Sequence, residues 1–135
     1  MPMPVGNVDE AGLLPNCQLL FWPYANLADE RLKLQNEYTL FKAESATAFK
    51  MGYFNSHGWL AYWLDGILFK KTFGAQTSAH YPDNNSNAEM YCNEDFVELE
   101  SLAPLTQLAP NTSVEHVETW EIFDSLPSDL DKSYF

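Results

Sequence analysis

Between Phe96 and Phe123 the chain reads FVELESLAPLTQLAPNTSVEHVETWEIF, and much of its chemistry stands there at strand spacing. Phe96, Glu98, Glu100 and Leu102 fall on one face of a strand, with Val97, Leu99, Ser101 and Ala103 on the other. Val114, His116, Glu118, Trp120 and Ile122 alternate in the same way along a second strand. On spacing alone Glu100 is a solvent-facing carboxylate beside Glu98. If the two strands pair directly, one register sets Glu100 opposite His116. A carboxylate there raises an imidazole's pKa and equips the pair for acid–base work. The plainer role for His116 is a surface or structurally satisfied histidine. Glu98, Glu118 and Trp120 are candidate contacts for a small polar ligand, because they offer a few polar groups beside an apolar wall.

His80-Tyr81-Pro82-Asp83 lies in a polar loop and His57 in another, where binding residues tend to sit. His80 and Asp83 therefore join the candidate ligand contacts. Trp59 and Trp63 could line the same cleft, but an indole buries so much area that core packing is the simpler role. Asp83, Asn85, Asn87 and Glu94 occupy positions 1, 3, 5 and 12 of an EF-hand-like spacing. Ala88 stands where that loop needs Gly, and strands rather than helices flank it, so no metal site is expected. There is no Cys/His cluster for zinc, no phosphate-cradling Gly loop and no nucleophile elbow in the sequence, and no cofactor is called for.

The elements that must position these residues are mostly strands. Residues 1–16 form an irregular Pro- and Gly-rich arm, pinned by Leu13 and Leu14. Cys17–Tyr24 reads as a first strand, ended by Pro23. Leu27–Leu34 is the one helical stretch, with Asn26 as cap, acids in its first turn and Lys33 near its end. From Glu37 the period changes to two, and Thr47–Phe54 continues it with Phe49, Met51 and Tyr53 on one side. In GWLAYWLDGILFKKTFG two apolar strands flank Asp65-Gly66, a pair suited to a type I′ hairpin turn. Glu89–Cys92 is a short strand, and residues 124–135 form an acidic, Pro-broken tail. Seven or eight strands and one short helix predict a single all-β domain, a mainly antiparallel β-sandwich spanning residues 1–135.

Composition fits that class. Hydrophobic residues make up 46% of the chain and aromatic ones 15%, which suits a packed β-rich core over a disordered chain. The formal charge of −12 argues against nucleic acid or an anionic membrane as a partner, since both demand cationic neutralisation. The N-terminus has neither a basic n-region nor an apolar h-region, and no apolar run approaches membrane-spanning length. A cytoplasmic location is expected, with Cys17 and Cys92 as reduced thiols.

Several of these residues also carry a resemblance. Leu99-Glu100-Ser101, a Pro-containing connection, Leu108-Ala109-Pro110, then His116 and Trp120 on a last strand resemble the C-terminal end of galactose mutarotase-like proteins, the aldose-1-epimerase superfamily. Those end on a strand with Leu-Glu-Thr, a Leu-x-Pro-Gly-Glu turn and a final strand. The spelling Glu-Leu-Glu-Ser-Leu-Ala-Pro-Leu, with Tyr81-Pro82-Asp83 and Asn87-x-Glu89-x-Tyr91 upstream, is similar above all to uncharacterised members. The likeness spans Tyr81–Phe123 and is fainter over Leu20–Phe73. Pro-Gly-Glu is here Pro110-Asn111-Thr112, and the family's longer domain draws its catalytic histidines from segments with no counterpart in this chain. The resemblance implies that Glu100 matches the family's base, which takes the proton of the anomeric hydroxyl. It implies a module that binds a monosaccharide or related small polar ligand on a polar sheet face, with aldose epimerisation ranked below binding. The alternative is a non-catalytic protein of interaction or assembly, because half of a large sandwich leaves an edge or apolar face for a homodimer to cover.

Overall fold

A computed structural model describes residues 1–8, 14–44 and 47–124 of the chain. Leu13 of the arm and the tail beyond Asp124 lie outside the described residues. The fold is all-β and antiparallel throughout its sheets. Among the described residues nine strands run in the order β1 (Leu20–Phe21), β2 (Leu32–Leu34), β3 (Thr39–Phe41), β4 (Phe49–Tyr53), β5 (Trp59–Leu64), β6 (Ile67–Phe73), β7 (Ala88–Cys92), β8 (Val97–Ser101) and β9 (Glu118–Phe123). One short helical turn, α1 (Pro82–Asn85), precedes β7.

The strands form a four-stranded sheet β1-β4-β7-β8, a three-stranded sheet β5-β6-β9 and the small pair β2-β3. Alternation sorts the larger sheet into two unlike faces. Phe49, Met51 and Tyr53 of β4 are fully buried, with Met90 and Cys92 of β7 beside them. Phe21, Phe41, Leu32 and Met1 pack against that cluster. Phe49 stacks on Phe41 at 4.5 Å and meets Phe21 edge-on at 6.3 Å, the two arrangements the ring quadrupole favours. Leu60 and Phe73 join Ala88 in a second cluster against Leu99, so the three-stranded sheet packs on the inner face of the larger one. That leaves Lys50, Gly52, Glu89, Tyr91, Glu98 and Glu100 together on the other face.

The hairpin between β5 and β6 forms as its sequence predicts. Asp65 and Gly66 take φ of 50° and 81°, the two positive values a type I′ turn requires. Leu27–Leu34 does not form a helix. Asn26 and Asp29 spend their side-chain oxygens on Ala28 and Arg31 N–H groups in tight turns, and Asp29 also takes the Arg31 guanidinium at 2.7 Å. Such local bonds compete with helix, and the segment runs on into β2. The first strand shrinks to two residues. The arm is held by Met1–Met3 rather than by Leu14, which is exposed: Met3 N–H bonds to the Glu37 carbonyl at 2.8 Å, and Tyr53 donates to the Pro2 carbonyl at 3.0 Å.

Candidate polar-face site around Lys50 and Glu100

Glu100 stands on β8 directly across from Glu89 on β7, which in turn faces Gly52 on β4. Lys50, two residues back along β4, brings its ammonium between the two carboxylates. Its Nζ lies 2.8 Å from both Glu100 oxygens and 3.0 Å from Glu89 Oε2. The Trp22 ring lies 4.6 Å from the same nitrogen, a cation–π contact that closes a further side. Glu89 is only 1% exposed. Its Oε1 accepts no hydrogen bond from any described residue, and Oε2 has the ion pair alone. A buried carboxylate oxygen left without a donor is costly and marks a place where a ligand hydroxyl or water would be gained. Burial pushes the Glu89 carboxyl up from its usual range, with Lys50 pulling against it and Asp83 and Glu100 adding to the rise.

Gly52 makes the arrangement possible. A Cβ there would sit 2.7 Å from Glu89 Cγ, 2.8 Å from Ser86 Oγ and 3.0 Å from the Ala88 carbonyl. Gly52→Ala is expected to cost on the order of 1–3 kcal/mol through overpacking and to push Glu89 off Lys50. Urea unfolding monitored by tryptophan fluorescence reads the first effect. Asp83 lies at the rim of this face. Asp83, Asn84 and Asn85 hold φ of 47°, 53° and 73° in the α1 turn, a left-handed run that Asp and Asn accept most readily among residues with a Cβ. Asp83 and Asn84 enclose a hollow of about 190 Å³ with Leu20, Trp22 and Pro23.

A second polar cluster sits on the far side of β8. The Ser101 hydroxyl donates to Glu118 Oε1 and lies 2.8 Å from His116 Nε2. Trp120 donates its indole N–H to Glu118 Oε2 at 2.8 Å, and Lys71 reaches Glu118 at 3.0 Å and the Leu99 carbonyl. Burial would raise the Glu118 carboxyl, but the donors from Ser101, Trp120 and Lys71 outweigh it and hold the group down at about 2. Beside this cluster a cavity of about 440 Å³ opens between Tyr62, Phe69 and Trp120 on one wall and Val97 and Leu99 on the other. Among the described residues that line it, the one cation, Lys71, is already paired.

The candidates picked from sequence therefore divide. Glu100 and Glu98 share the polar face, and Asp83 borders it through its influence on Glu89. His116, Glu118 and Trp120 belong to the other cluster. The register that would set Glu100 opposite His116 does not occur: β8 pairs with β7, and β9 pairs with β6, because the long connection after Ser101 carries the chain to the other sheet. His80 and His57 are exposed loop residues. Asn87 spends its side chain on both backbone groups of buried Asn55, at 2.6 and 3.2 Å, a structural use. Among the described residues no group of His, Cys, Asp and Glu is disposed to hold a metal. Lys50, Gly52 and Trp22 went unsingled in the sequence. The signal was there in FKMGY, where Phe49, Met51 and Tyr53 claim one face and leave Lys50 and Gly52 the other. Compared with family models, with curated proteins and with solved structures, the chain matches none. Among the described residues no helix is long and apolar enough to cross a membrane.

Proposed function

We propose that the protein binds a monosaccharide or a related small polyhydroxylated ligand on the polar face of the four-stranded sheet, with Glu100 as its principal contact. The observation that carries the reading is the buried Glu89 carboxylate, unsatisfied at Oε1, beside an ammonium shared with the partly open Glu100. Hydroxyl groups both donate and accept, so a polyol can bond to Glu100 and the ammonium together. Trp22 and Tyr91 add aromatic surface next to those charges, the mix of apolar wall and few polar groups common to small-ligand sites. The likeness of Leu99-Glu100-Ser101 to the mutarotase-like motif favours the same residue. The cavity beside Trp120, lined by Glu44, Glu94 and Asp95 as well as by aromatic rings, is the weaker candidate, since its lysine is spent on Glu118 and the Leu99 carbonyl.

Glu100→Gln tests the assignment. Line broadening of glucose or galactose signals in ligand-observed NMR is expected with the native chain and to fall at least several-fold in the variant; equal broadening by both proteins would remove Glu100 from the site. One observation favours a second reading, a homodimer. Trp120 and Ile122 are 67% and 74% exposed on β9, which among the described strands pairs on one side only. Light scattering at micromolar concentration decides it: a dimer supports that reading and a monomer ends it.

A further inference from the structure

Independently of the polar face, we infer that the cavity beside Trp120 binds a small organic cation, an aliphatic or alkylated ammonium ion about the size of choline. At about 440 Å³ the cavity falls within the range of roughly 300–1,000 Å³ usual for small-ligand pockets. Its walls come from both sheets. Tyr62 of β5 and Phe69 of β6 are register partners, and Trp120 of β9 stands across from Lys71 of β6, so three neighbouring strands build one aromatic wall. Val97 and Leu99 of β8 face it, and Phe96, half exposed just before β8, adds a fourth ring. Phe69 and Trp120 meet at 83° with centroids 5.6 Å apart, which makes a corner of two rings. The indole is held there by its N–H bond to Glu118 at 2.8 Å.

Rings so arranged attract a cation through the negative face of the quadrupole. Elsewhere this protein covers ring faces with its own cations: Arg31 over Phe41, Lys50 over Trp22 and Lys70 over Trp59. Among the described residues no such group lies over Tyr62, Phe69, Phe96 or Trp120. The charge around the cavity has the matching sign. Asn93 Oδ1 accepts from the Asp95 and Phe96 N–H groups at 2.8 and 2.9 Å, and this turn between β7 and β8 sets Glu94 and Asp95 in the lining. Both are exposed, and among the described residues neither has an ion-pair partner. Glu44 adds less, since it already pairs with exposed Lys42 at 2.5 Å. Lys71 is the charge that opposes an entering cation, and Glu118, 3.0 Å away, offsets it. A metal ion needs oxygen ligands converging on one point, and among the described residues no acidic group is so disposed. An organic cation needs no such convergence. It takes its contact from the rings and its long-range attraction from the carboxylates.

Nitrogen–proton correlation spectra of the full chain test this with three probes: choline, butylammonium, and the neutral alcohol in which a carbon replaces choline's nitrogen. The amides of Tyr62, Phe69 and Leu99 and the indole N–H of Trp120 are expected to shift saturably with choline or butylammonium. The neutral alcohol, equal in shape to choline, should bind about tenfold more weakly or worse. The double variant Glu94→Gln with Asp95→Asn alters only exposed side chains, and near-UV circular dichroism confirms its fold. It should bind choline several-fold more weakly than the native chain, and its affinity should fall less steeply with added salt. Equal affinity for choline and the neutral alcohol would overturn the inference, leaving an apolar cavity indifferent to charge. So would a native chain whose cavity signals neither cation moves, or a double variant that binds choline with native affinity and native salt dependence.

Discussion

Lys50→Met is expected to lower stability at pH 7 by about 3–5 kcal/mol, the cost typical of removing one partner from a buried ion pair. The size follows from what stays behind rather than from the contact itself. Met packs well in place of the lysine stem, but Glu89, 1% exposed, would hold a buried charge with no counter-ion. The protein has one escape, to protonate Glu89. The sign of the pH dependence follows. Burial already raises the folded-state pKa of Glu89 above its ordinary 4.5, and loss of Lys50 raises it further. The folded state then binds a proton that the unfolded state has released, so stability falls as pH rises above 4.5. Urea unfolding at pH 4 and pH 7 checks this: the variant's deficit against the native chain should be far smaller at pH 4. A deficit equal at both would mean that Glu89 is satisfied in some other way. The double variant Lys50→Met with Glu89→Leu should recover most of the loss, since a buried pair replaced by apolar side chains is often neutral.

Glu118→Gln is expected to cost about 3 kcal/mol, through the other cluster. Lys71, its side chain 8% exposed, would keep only the Leu99 carbonyl, and the hydroxyl of Ser101 and indole of Trp120 would compete for one neutral oxygen. Here the pH dependence has the opposite sense. Glu118 is held at about 2, below the ordinary 4.5, so its contribution is complete above pH 4.5 and fades as pH falls toward 2. The gap between native chain and variant, measured by thermal or urea unfolding, should narrow over that window. The sugar binding proposed for the polar face should survive the substitution, because Ser101 and Glu100 point to opposite sides of β8.

The parts of the fold that were legible in sequence are those governed by local periodicity. Phe49, Met51 and Tyr53 declared the core face of β4, and Asp65-Gly66 declared the hairpin, since two-residue spacing and positive φ are properties of short stretches. Which strand lies beside which was not legible. Glu100 and His116 sit on well-marked strands, yet a connection of more than a dozen residues separates β8 from β9 and leaves pairing to tertiary packing. The helix expected at Leu27–Leu34 failed because Asn26 and Asp29 serve turns as well as they serve helix caps. On the polar face, Glu100 drew notice through its spacing and its motif, and the structure pairs it with Lys50. Lys50 and Glu89 drew none: each alternates with core residues as any outward-facing charge does, and only the sheet order β4-β7-β8 brings them to one point.

Protein-observed nitrogen–proton correlation spectra, recorded while glucose or galactose is added, test most directly where this molecule does its work. The amides of Lys50, Gly52, Glu89, Tyr91, Glu98 and Glu100 should shift together and saturably, and those shifts should be absent in Glu100→Gln. Shifts confined to Lys71, Ser101 and Trp120, on the far side of β8, would contradict the polar-face site, and a spectrum unmoved by every sugar tried would contradict the ligand class itself.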